Sequence, residues 1–300
     1  MKLDGVFPPV TTPFDSTGAF APDKLAQNIA RYNGTGVAGY VVVGSTGESV
    51  LLSRDEIERV WAAVAEAAAP GKVLIAGTGV DSTSETISRT NRAAELGYHV
   101  ALVKTPYYYK SQMTAEVLAE HFLRVADAAR IPVLIYSVPQ FTGVSVTAAL
   151  VSRLAQHSNI IGIKESSGNI LLAEEIVAAT PAGFQTLVGS AGTFFPSIGA
   201  GAIGGVLAVA CFLPEACVEL YQAGRGSEMQ RAQELQRRLL PAATSVVARL
   251  GIAGVKYAMD RVGYYGGPPR RPLLPLNDGA KKEVDAILAD VAQAAPSPAR

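Results

Sequence analysis

The chain alternates. Eight short, β-rich apolar runs lead into Gly, Ser, Thr or Pro, and a stretch of helical pattern follows each one. The runs are GVFPPV, GYVVVG, KVLIAG, HVALVK, PVLIYS, IIGIKE, FQTLVG and AIGGVLAV. The amphipathic stretches between them span Pro22–Tyr32, Ser53–Ala69, Ser82–Leu96, Thr114–Ala129, Thr147–His157, Leu171–Ala179 and Gly192–Ala200. Ser53 with Glu56 three residues on reads as a capping box. Strands that alternate with helices pair in parallel, because each return crosses over through a helix. Eight such units predict a (β/α)8 TIM barrel. A doubly wound open sheet is the rival, but no Gly-rich dinucleotide fingerprint follows the first run.

After Pro214 the strand signal stops. PEACVELYQAGRG reads as the eighth barrel helix, and Ser227–Arg249, Ala253–Val262 and Asp278–Gln293 as three more. The expectation is a barrel over residues 1–223 and a C-terminal helical extension of the same domain over 224–300. The final AAPSPAR reads as a frayed end.

Hydrophobic residues at 49% and charged residues at 17% are a globular composition. The formal net charge is zero, which gives no footprint for nucleic acid or an anionic membrane. MKLDGVFPPV lacks the apolar core of a signal peptide, and GVLAVACFLP is too short to span a bilayer. Cys211 and Cys217 read as small buried hydrophobes. These features imply a soluble cytoplasmic protein. His99, His121 and His157 show no ligand-like spacing, so no metal site is expected.

Barrel chemistry sits at the C-terminal ends of the strands. Three ends here are chemically loaded. In NIIGIKESSGN, alternation puts Ile160, Gly162 and Lys164 on one face and Ile161 and Ile163 on the other. Lys164 would then face the interior near its mouth, with space left by Gly162. Free lysine titrates near ~10.4, and a nucleophilic one must fall by roughly three units, a cost of about 4 kcal/mol that burial can supply. The neutral amine attacks a ketone to form a Schiff base. Position alone also fits a lysine that caps a strand or pairs with Glu165. Tyr136 ends the neighbouring run and can reach the same pocket as a proton shuttle, or it is a core aromatic. GSTGES offers Ser45 and Thr46 between glycines, a nest for a carboxylate or an ordinary turn. Glu48 reads as a structural hydrogen-bond acceptor rather than a catalytic group. TPYYYK follows the fourth run, and its tyrosines suit an interface or a lid.

Four motifs, GSTGES, TPYYYK, YSVPQFTG and GIKESSG, stand in an order and spacing that resembles the dihydrodipicolinate synthase / N-acetylneuraminate lyase family of Schiff-base aldolases. The resemblance covers nearly the whole chain, from GVFPPVTTPF to the C-terminal helices. It implies that Lys164 forms the Schiff base with pyruvate and that Tyr136 is the general acid/base. Ser45 then links Tyr136 to a second tyrosine, Tyr108, which in the family reaches across from a neighbouring subunit. Thr46 matches the pyruvate carboxylate site, and Val206 a position whose carbonyl lines it. The resemblance also implies a homotetramer, a dimer of tight dimers, with no metal or organic cofactor.

Two departures bear on the substrate. Family synthases carry an arginine in the YNVPxRTG loop that binds the aldehyde's carboxylate; here Phe141 stands there and cannot form charge-assisted hydrogen bonds. Ser137 replaces the usual asparagine. YSVP, GSAG with Gly189, and GIAGVKYAMDRVGYYGGPPRRPL look like the 4-hydroxy-2-oxoglutarate aldolase branch, where Ser166 matches a substrate-contacting serine. Thr46 departs from the asparagine of the animal enzymes of that branch. The expectation is a class I aldolase that cleaves a 4-hydroxy-2-oxo acid, either 4-hydroxy-2-oxoglutarate or a 2-keto-3-deoxy sugar acid, to pyruvate and an aldehyde. Two alternatives stand beside it. One is 4-hydroxy-tetrahydrodipicolinate synthase, which condenses pyruvate with aspartate semialdehyde. The other is a non-catalytic barrel that binds a 2-oxo acid.

Overall fold

The computed structural model describes residues 1–293; the AAPSPAR stretch lies outside the described residues. All eight apolar runs form strands: β1 Gly5–Phe7, β2 Gly39–Val42, β3 Val73–Gly77, β4 Val100–Lys104, β5 Val133–Ser137, β6 Ile160–Glu165, β7 Gln185–Val188 and β8 Gly204–Val206. The helices are α1 Pro22–Asn33, α2 Arg54–Ala67, α3 Thr83–Glu95, α4 Ala115–Ala128, α5 Pro139–Thr142, α6 Ala148–Leu154, α7 Ile170–Ala179, α8 Phe194–Gly199, α9 Pro214–Arg225, α10 Met229–Pro241, α11 Gly251–Arg261 and α12 Asp278–Gln293.

The strands are all parallel, in the order β1-β8-β7-β6-β5-β4-β3-β2. Backbone bonds from Ala38 N to Val6 O and from Val10 N to Val41 O close β1 on β2. The fold is therefore a TIM barrel with C-terminal helices. Pro8 and Pro9 end β1 early, since proline has no ladder N–H to give.

Local signals start the helices where the side chains predict. Ser53 accepts the Glu56 N–H while Glu56 accepts the Ser53 N–H, the reciprocal cap read from sequence. Ser82, Thr114, Thr147 and Asn169 cap α3, α4, α6 and α7, each side chain accepting the backbone N–H three residues on.

Inside the barrel, Phe7, Val41, Ile75, Val100, Leu102, Leu134, Leu187 and Val206 pack together. Ala101, Val103, Val133, Ile135, Ile160 and Ile163 face the helices instead. One expectation of strand facing needs correction. The register between β5 and β6 slips at Val133/Leu134, so that Val133 pairs with Ile160 but Leu134 with Gly162. The extra residue turns Ile160 outward and places Ile161 against the interior cluster. Gly162 also does not leave open space. A Cβ there would lie 2.2 Å from Gln185 O, so glycine is needed for β7 to approach.

Candidate active site

Beyond the bulge the alternation holds. Tyr136 and Lys164 are register partners across β5 and β6, so both point into the barrel mouth. Each is 5% exposed. The Lys164 Nζ lies 4.1 Å from the centre of the Tyr136 ring. Among the described residues no carboxylate pairs with Lys164. Its neighbour Glu165 faces away, with Oε1 accepting the Ser167 N–H at 2.8 Å. The strand-cap and Glu165-pair readings therefore fail. Burial pulls the Lys164 pKa down to about 7, with the neighbouring Cys211 acting weakly the other way. A substantial neutral fraction near neutrality gives the amine a free lone pair.

Burial pushes the Tyr136 phenol up to about 12, opposed by its bond to Ser45. The phenol stays protonated at neutral pH and is a proton donor beside the amine. Its oxygen is 3.2 Å from Ser45 Oγ, where either group can donate. That contact joins the GSTGES turn to the lysine site.

The turn itself is unusual backbone. Val43 (φ 60°) and Glu48 (φ 58°) flank it in the left-handed region. For a β-branched residue such as Val43 this is an outlier, and each such residue stores about 1–3 kcal/mol. Gly44 O accepts the N–H groups of Gly47 and Ser49, which folds Ser45 and Thr46, both half-buried, over the barrel mouth. Val206 ends β8 inside the same interior cluster as Tyr136.

Ser166 sits past the end of β6 at 6% exposure, and its Oγ has no hydrogen-bond partner. A Cβ on Gly189 would lie 2.0 Å from that oxygen, so only glycine fits opposite it. Gln140, unmarked in the sequence reading, donates from Nε2 to Ser166 O at 2.6 Å and ties α5 to the lysine strand. Phe141 on the same turn is 67% exposed. It stands in α5, just past the end of β5.

Tyr108 does not join the site within the chain. It is 75% exposed, stacked edge-on against Tyr109, and no hydrogen bond links it to Ser45 or Tyr136 among the described residues. Asp81, which sequence reasoning passed over, accepts the backbone N–H groups of Tyr107 and Tyr108 at 2.7 and 2.8 Å and holds that loop.

The histidines have local partners: His99 accepts the Leu74 N–H, His121 bonds Thr83, and His157 bonds Asp127. Among the described residues, no group of three or more His, Cys, Asp or Glu side chains is placed to hold a metal. No described helix is long and apolar enough to cross a membrane.

A buried lysine and tyrosine at adjacent strand ends, with a serine on the phenol, is a constellation for carbonyl chemistry through an imine. Comparison with known proteins agrees. Residues 2–291 match the dihydrodipicolinate synthetase family. The chain belongs to that family.

Among its relatives, the 4-hydroxy-tetrahydrodipicolinate synthase of Methanothrix thermoacetophila is 38% identical, covering 96% of this chain and 95% of the relative. The enzyme of the same name from Exiguobacterium is 37% identical over 93% and 95%. Dihydrodipicolinate synthase from Bacillus anthracis superposes with a TM-score of 0.93 at 28% identity, covering 99% of this chain and all of that one. An Escherichia coli K12 prophage protein of the dihydrodipicolinic acid synthase family, solved in complex with pyruvate, superposes at 0.91 with 27% identity, covering 97% and 99%. The chain is a class I pyruvate aldolase-family enzyme and, like the family, a carbon–carbon lyase. The narrower expectation of the 4-hydroxy-2-oxoglutarate aldolase branch finds no counterpart in these relatives' names, which are synthases.

Proposed function

We propose that Lys164 attacks the C2 ketone of pyruvate and that Tyr136 protonates the departing hydroxyl, leaving an iminium. Loss of a C3 proton then gives an enamine, which adds to an aldehyde carbon; the reverse sequence cleaves the same bond. Ser45 holds the Tyr136 phenol, and Thr46 with its backbone receives the pyruvate carboxylate opposite the Val206 carbonyl. The observation that carries this reading is the buried, unpaired Lys164 over the Tyr136 ring. Tyr108 completes the relay from a neighbouring subunit of a tetramer, in keeping with its exposure here.

For the aldehyde, the relatives' names favour condensation with aspartate semialdehyde, the reaction of a 4-hydroxy-tetrahydrodipicolinate synthase. A second reading, cleavage of a 4-hydroxy-2-oxo acid, is favoured by Phe141, which offers no charge at the rim to a carboxylate. Under that reading the unpartnered Ser166 Oγ beside Gly189 takes a substrate hydroxyl or carboxylate. Steady-state kcat/KM for pyruvate plus aspartate semialdehyde, against 4-hydroxy-2-oxoglutarate and 2-keto-3-deoxy sugar acids, tests both. Dominant turnover of the first pair supports the synthase. Dominant cleavage of either oxo acid supports the second reading. Pyruvate binding without turnover of any of them points to the non-catalytic barrel.

A further inference from the structure

The strained turn that carries Ser45 and Thr46 is gripped from the far end of the chain. Glu48, at the turn's left-handed exit, is buried. One carboxylate oxygen lies 2.6 Å from the Lys256 Nζ on α11, and neither side chain of that pair has exposed surface. The other oxygen accepts the Arg270 backbone N–H at 2.7 Å. Lys256 spends its remaining donors on Thr12 O at 2.8 Å and Pro268 O at 3.0 Å. Thr12 in turn donates from Oγ1 to Gly47 O at 2.7 Å, inside the turn itself. The Arg270 guanidinium is bidentate to Glu56 at 2.7 Å on both arms and donates to Leu51 O and Gly18 O.

A buried ion pair is a weak source of stability, since an apolar pair of the same volume stabilises as much or more. What it supplies is direction. The Lys256 ammonium and the Arg270 N–H hold the two carboxylate oxygens, and two backbone carbonyls hold the ammonium, which fixes Glu48 in a single place. Strained backbone persists only where its neighbours over-determine it, and these are the neighbours. The Ser45–Tyr136 contact of 3.2 Å depends on where the turn stands, and displacements of about 1 Å are enough to impair a reaction.

We propose that Glu48 and Lys256 are positioning residues of the reaction: α11 and the loop that follows it clamp the GSTGES turn, and the clamp sets Ser45 against Tyr136 and Thr46 against the substrate carboxylate. This rests on the Schiff-base reading above. It gives the C-terminal extension a part in the active site, through a lysine more than two hundred positions from the turn it holds.

The test uses the full-length protein and pyruvate alone, with borohydride trapping on Lys164 read as half-saturating pyruvate concentration and maximal trapping rate. The parent comes first, because a parent that forms no adduct refutes the Schiff-base reading, and with it the clamp. E48Q and K256M each orphan one buried charge and lower the melting temperature. The double variant E48Q/K256M removes both charges and regains most of it. The clamp predicts that the double variant still needs about tenfold more pyruvate and traps more slowly. A double variant with the parent's half-saturation and rate, in a parent that traps pyruvate, overturns the clamp and leaves the pair a fold element only. If the double variant yields no folded protein, T12V decides. It keeps the ion pair and removes only the bond to Gly47 O; a raised half-saturation supports the clamp, and parental values overturn it.

Discussion

Replacing Lys164 by methionine should make the protein more stable, by an amount that depends on pH. Burial holds the lysine near pKa 7 in the folded chain, against an ordinary value of 10.5. Between those values the unfolded chain binds a proton that the folded chain does not. For a base with a depressed folded pKa the sign is a penalty: it is complete below the folded pKa and vanishes above the unfolded one. At ~1.36 kcal/mol per unit, it amounts to about 4 kcal/mol near pH 7, about 2 near pH 9 and under about 0.5 near pH 10.5. Methionine is close in length, carries no charge and suits the interior beside Leu187. Urea unfolding of parent and variant at those three pH values gives the difference directly, because titrations common to both cancel. The expected result is a stabilisation near neutrality that shrinks as pH rises. A difference flat with pH, or a variant less stable near pH 7, would refute a neutral, desolvated Lys164.

Other outcomes follow from the same geometry. The rate of pyruvate adduct formation should rise through about pH 7 and level off above it as Lys164 loses its proton, read from trapping rates across pH. Tyr136→Phe removes the buried phenol and should lower kcat by about 10²–10⁴-fold with the fold intact by circular dichroism. Ser45→Ala removes the bond that lowers the Tyr136 pKa, so any basic limb in the pH profile should move up and kcat/KM fall by about tenfold. Phe141→Arg places a guanidinium at the rim and should raise kcat/KM for aspartate semialdehyde by about tenfold or more, with little change in half-saturation by pyruvate.

The barrel was legible because its signals are local. Each strand is a short apolar run, as strands buried on both faces require, and α2, α3, α4, α6 and α7 each begin at a side-chain cap. Lys164 and Tyr136 were legible as a pair for the same reason: both end such runs, and strand ends are where barrels do chemistry. The bulge at Ile161 was not legible, since register belongs to two strands and a one-residue slip leaves composition unchanged. Lys256 lies in a stretch read only as a helix, and only the tertiary fold brings it to Glu48. Gln140 and Asp81 act on backbone groups, which carry no sequence signature. Tyr108 was picked out by its motif, yet within a single chain it stands exposed and apart from Ser45 and Tyr136.

The central claim is that Lys164 is the carbonyl nucleophile for pyruvate. Borohydride reduction in the presence of pyruvate, followed by peptide mass mapping, tests it most directly. One reduced pyruvyl group on the peptide carrying Lys164, absent without pyruvate and absent in Lys164→Met, is the predicted result. An unmodified Lys164 at saturating pyruvate, or label spread over exposed lysines such as Lys2 and Lys24, would contradict it.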